Sequence, residues 1–141
     1  QRLTPRDIDR LEEVNRDLHG AIAADPPDIV RFLNANRAFH QIITEAARSP
    51  RLAQVLAMLV EQPVVLRTAR LYSIDDLRQS ARDHDELIAA FRAGDAGWAE
   101  AVMGSHLRRA FHTFADAAQN ADTAGDADGG AANDDSLDAA E

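Results

Sequence analysis

The sequence contains no cysteine and no lysine. Without cysteine there can be no disulfide and no thiolate metal site. Without lysine, all 15 basic side chains are arginines. Aromatic residues make up only 5%, so the core must be built mainly from Leu, Ile, Val and Ala. No apolar run approaches the ~20 residues that a membrane helix needs, and no secretory leader pattern appears. A cytoplasmic protein without membrane contact is the expectation. No stretch alternates with the period of a strand, and no repeat of 20–50 residues is visible.

What is abundant is acid, and it is unevenly placed. The formal net charge is −9. Asp122, Asp126, Asp128, Asp134, Asp135, Asp138 and Glu141 all lie in the stretch 119–141, which contains no base. The rest of the chain is close to neutral. It therefore lacks the basic surface that drives binding to a phosphate backbone. Residues 119–141 are rich in Ala, Asp and Gly, with Leu137 as the single large apolar side chain. Such a segment cannot bury enough surface to offset its ordering entropy, so disorder is expected there. Residues 1–118 are expected to form one helical domain.

Five segments in residues 1–118 carry helical periodicity. The first has Thr4 as N-cap and Pro5 at the first helical position, with a stripe of Ile8, Leu11, Val14, Leu18 and Ile22. The second is expected to start at Asp25–Pro26, with a stripe of Ile29, Phe32/Leu33, Asn36, Phe39/His40 and Ile43. A third, from Ser49–Pro50, contains Pro63, which should kink or split it. A fourth carries Leu77, Ala81, His84, Leu87/Ile88 and Phe91, and stops at Gly94. A fifth begins at Asp95 and carries Trp98, Val102/Met103, His106/Leu107 and Ala110. Short connections favour antiparallel neighbours, so the expected fold is an all-α antiparallel bundle of five to six helices.

Of the five histidines, His19 lies next to polar Asn15 and Arg16, and His112 shares a face with Ser105, Arg108 and Arg109, so this polar surface is where both are expected. His40, His84 and His106 fall on the apolar stripes of three different helices. A core histidine with ordinary partners is the simpler account of any one of them. Three together are harder to satisfy, because a buried nitrogen left unpaired costs ~1–3 kcal/mol and a core poor in aromatics offers few partners. One divalent cation would engage all three, since imidazole is a standard metal ligand and bundle interiors host such sites. Asn36 lies one turn before His40, on the same face. Its amide oxygen is a candidate fourth ligand, or an acceptor for a metal-bound water or a ligating ring. Asp83 and Asp85, which flank His84, are expected to point off the stripe.

Three segments in order, "NRAFHQIITEAARSPRL", "ARDHDELIAAFRAGD" and "MGSHL", resemble the FCD effector domain of FadR-type regulators in the GntR superfamily. The resemblance rests on Asn36, Phe39 and His40, then His84, Ala90, Gly94 and Asp95, then Met103, His106 and Leu107. It covers roughly residues 3–118. It implies a bundle that binds a small carboxylate effector at a buried divalent ion held by Asn36, His40, His84 and His106, with zinc first and nickel or manganese as alternatives. It also implies a homodimer. Asp83 stands where Glu is common in the family. The usual winged helix-turn-helix and the first effector-domain helix are not seen before "RLTPRDIDRLEEV". Because the chain opens on Gln1, these are expected upstream, and DNA would be bound only through them.

Arg67 and Arg70 follow Pro63, and Arg70 continues an apolar stripe. An inward arginine near a cation needs an anion between them, so these two are candidate effector ligands, clamping a carboxylate with the metal. The leading expectation is a non-enzymatic, ligand-sensing and dimerising domain of a bacterial transcription regulator. The alternatives are a metal-dependent hydrolase and a purely structural bundle with satisfied core histidines.

Overall fold

The computed structural model describes residues 3–47 and 72–128. Four helices are found there, and no strand: α1 (Pro5–Ala23), α2 (Ile29–Ala46), α3 (Ile74–Ala93) and α4 (Ala96–Asp128). The expected third segment, with Pro63, Arg67 and Arg70, lies outside the described residues, so the count of five to six is not reached among them. No helix among the described residues is long and apolar enough to cross a membrane.

Each helix start has a local cause. Thr4 accepts from the Asp7 amide while the Asp7 carboxylate accepts from the Thr4 amide at 3.0 Å, a reciprocal capping box. Ser73 and Asp76 repeat it on α3. The start of α2 differs from the expectation. Its N-cap is Asp28, which accepts from the Arg31 amide at 2.9 Å, not Asp25. Asp25 and Pro26 each precede a proline, which disfavours helical backbone at both. Gly94 ends α3 in the left-handed conformation at φ 66°, and Asp95 then caps α4 by accepting from the Trp98 amide at 2.9 Å. Helix α4 continues through Asp128, into the segment for which disorder is expected. Alanine, the strongest helix former, is frequent there.

Pairs between helices establish the antiparallel order. Asp17 and Glu45 meet Arg31 and Arg10 across α1 and α2. Glu12 and His19 meet Arg92 and Asp85 across α1 and α3. Across α3 and α4, Trp98 Nε1 donates to Glu86 at 2.8 Å. Trp98, expected on the inward stripe of α4, is thereby held at the surface.

The core has two apolar clusters. One joins Leu11, Phe39, Ile42, Leu87, Ile88 and Val102; the other joins Leu18, Ala21, Phe32, Ala35, Leu77 and Ala81. Between them along the chain fall Asn15 on α1, Asn36 on α2 and His84 on α3. The bundle is thus apolar at two levels and polar at the level between, with His84 at that seam.

Candidate metal centre

His40, His84 and His106 come from α2, α3 and α4. They are 8%, 0% and 5% exposed. Periodicity placed them inward one helix at a time, and the fold brings them together: one ligand atom from each lies within 4.8 Å of the others. Nε2 of His40 and Nε2 of His106 are 3.3 Å apart. Two imidazole nitrogens each ~2.0–2.1 Å from a tetrahedral zinc stand about 3.3 Å apart, so this pair has the spacing of two ligands. The His84 ring packs flat against Phe39, and both of its nitrogens are buried with no hydrogen-bond partner among the described residues. Unpartnered, they are costly, and a metal ion would engage one of them as a donor. The donor set therefore fits a divalent ion of borderline softness.

The rings are also in the ligating charge state. Burial pushes His40 down to about 3, and the neighbouring His106 adds to the shift. Burial likewise holds His84 well below the usual imidazole range, with His40 and His106 contributing. His106 is lowered by burial too, partly offset by its bond to Asp83. All three are neutral near pH 7 and can present lone pairs.

A family model described as the FCD domain matches residues 1–109. The chain belongs to the FCD family. FCD domains are the effector-binding domains of GntR-family transcription regulators. Comparisons with curated proteins and with solved structures returned no match.

Within this FCD domain, Asn36 is half-buried on the α2 face that carries His40. Arg67 and Arg70 lie outside the described residues. Asp83 corrects a sequence expectation. It does not point off the stripe but is 3% exposed, facing α4. There it accepts from His106 Nδ1 at 3.1 Å, Gln79 Nε2 at 2.8 Å and Arg109 Nη2 at 2.6 Å. Burial alone would raise its carboxyl, but the bonds from Arg109, Gln79 and His106 together hold it below the usual carboxylate range. A signal for this was present in the spacing. Asp83 stands four and seven residues before Leu87 and Ala90, both buried, and so shares their stripe.

Asn15 also escaped the sequence reading, which set it among surface polar residues. It is 3% exposed and donates Nδ2 to Asp85 at 2.6 Å, while His19, itself exposed, meets the same carboxylate at 3.1 Å. These residues, with Glu12, Arg16 and Ile88, line a cleft of about 190 Å³ between α1 and α3.

Proposed function

We propose that this FCD domain senses a small organic carboxylate at a divalent ion held by His40, His84 and His106, with Asn36 as a fourth donor. The observation that carries this reading is His84, whose two nitrogens are buried without partners among the described residues, beside two other neutral imidazoles. Zinc suits an all-nitrogen set with one amide oxygen best, ahead of nickel and manganese. Bound there, the ion supplies a Lewis-acid centre at which carboxylate oxygens bind. Arg67 and Arg70 are proposed as the guanidinium side of that effector site.

In the proposed mechanism the domain forms homodimers in the cytoplasm and belongs to a regulator whose DNA-binding heads lie upstream. Effector binding biases helix packing between two states, and the differential affinity for those states is what the heads respond to. A hydrolase built on the same ion would need a free general base. Asp83 is not free: Arg109, Gln79 and His106 occupy both its oxygens.

The test has two stages. Metal content is measured in protein purified without a metal-affinity tag, before and after equilibration with zinc. Small carboxylates are then screened for thermal stabilisation of the zinc-loaded and chelator-treated forms. Near-stoichiometric zinc, with stabilisation by a carboxylate only in the loaded form and no turnover, supports the sensor. No metal uptake sinks the proposal, and turnover of the ligand favours the hydrolase.

A further inference from the structure

Asp83 has no part in the scheme above, yet it is among the most fully buried charged groups described. Its Oδ2 accepts from His106 Nδ1 at 3.1 Å and from Arg109 Nε at 3.2 Å. Its Oδ1 accepts from Arg109 Nη2 at 2.6 Å and Gln79 Nε2 at 2.8 Å. Arg109 is half-exposed, and its Nη1 donates to Ser105 Oγ at 2.7 Å. An unbroken series of bonds therefore runs from the surface of α4 through Arg109 and Asp83 to an imidazole of the cluster.

A carboxylate can only accept. A neutral His106 facing it carries its proton on Nδ1, which leaves Nε2 bare. Nε2 is the atom turned toward His40. We infer that Asp83 is a positioning residue of the metal centre: it fixes the His106 tautomer so that Nε2 is the ligating atom, and Arg109 and Gln79 hold the carboxylate in register. This rests on the metal reading of the three histidines. Metal-bound imidazoles usually donate their other N–H to such a partner, and losing the partner costs about 10–100-fold in metal affinity.

Asp83→Asn is the informative variant, because the surrounding donors dictate how the amide sits. Gln79 and Arg109 both donate to Oδ1, so the amide oxygen stays there. The amide NH2 then takes the place of Oδ2, where it gives up the longer 3.2 Å bond from Arg109 Nε and donates to His106 Nδ1. The ring must accept, its proton moves to Nε2, and the ligating atom is blocked.

Two measurements test this. Nitrogen-15 NMR of the imidazoles in the metal-free protein reports the tautomer, and chelator competition reports zinc affinity. The expected result is an Nδ1 proton on His106 in the wild type, an Nε2 proton in Asp83→Asn, and zinc binding about 10–100-fold weaker in the variant. Asp85→Asn, a neighbouring charge change away from His106, should leave zinc affinity within about twofold. An Nε2 proton on wild-type His106, or wild-type zinc affinity in a folded Asp83→Asn, overturns the inference; so does an equal loss in Asp85→Asn. If Asp83→Asn does not fold, the wild-type tautomer together with Arg109→Gln decides, the latter expected to weaken zinc severalfold and unchanged affinity counting against the claim. If the wild type takes up no zinc, the metal reading falls, and the tautomer measurement still decides whether Asp83 sets the His106 proton.

Discussion

The Phe39 ring lies flat on the His84 imidazole, with centroids 3.9 Å apart and planes 3° from parallel. Both side chains are fully buried. Phe39 precedes His40 in the chain, so one turn of α2 supplies both a candidate ligand and the wall that orients another ring. Truncating Phe39 removes core packing and the support of His84 together. Phe39→Ala is expected to cost about 3–5 kcal/mol of stability, read as a lower urea midpoint, and to weaken zinc binding beyond that. A loss under about 1 kcal/mol would show that the stack is not a packed contact.

His84 should trade stability for binding. In the metal-free protein its two nitrogens are buried without partners among the described residues, and such groups cost ~1–3 kcal/mol each. A leucine of similar volume has no such cost. Metal-free His84→Leu is therefore expected to be more stable than the metal-free wild type, by about 1–2 kcal/mol, while taking up no zinc. With zinc present the order should reverse, because binding to the native state alone stabilises it. Equal or lower stability of metal-free His84→Leu would mean that the imidazole nitrogens find partners after all.

The legible part of this molecule was the part governed by local periodicity. Leu11, Leu18, Phe39, Leu87 and the three histidines lie inward because each repeats at helical spacing with apolar neighbours. That three inward histidines from α2, α3 and α4 share one point follows from the helices packing around a common seam, which periodicity alone does not dictate. Asp83 and Asn15 were misplaced for a different reason. A polar residue on the edge of a stripe is surface on one neighbour's side and core on the other's. For Asp83 the deciding neighbour was Arg109, on another helix. The α2 start was misplaced because Asp25–Pro26 resembles a cap and first turn until the second proline is weighed.

That misplaced cap has its own test. Asp28 bonds the Arg31 amide, whereas Asp25 stands ahead of two prolines. Asp28→Ala should destabilise the domain by about 1 kcal/mol, the usual value of a lost N-cap. Asp25→Ala should fall within about 0.5 kcal/mol of the wild type, as surface changes away from such features do. The opposite ordering in chemical denaturation would return the cap to Asp25.

Acid should act on the metal-free protein through the same histidines. His40 titrates at about 3 in the folded protein, against an ordinary value of 6.5. Between those values the unfolded chain binds more protons than the folded one, so stability falls as pH falls. The contribution is complete above about pH 6.5 and is lost progressively on the way down to about 3. His84 and His106 are shifted in the same direction and steepen the loss. Asp83, held below its ordinary value, withdraws its share at the lower end of the range. Zinc binds only the neutral rings, so protons compete with it. The loaded protein should start more stable near pH 7.5 and converge on the metal-free curve as the ion leaves. Urea midpoints from pH 7.5 to 4, with zinc and with chelator, measure both curves. His40→Leu should flatten the metal-free one. Midpoints that rise on acidification below pH 6.5 would mean that these imidazoles are not buried in their neutral form.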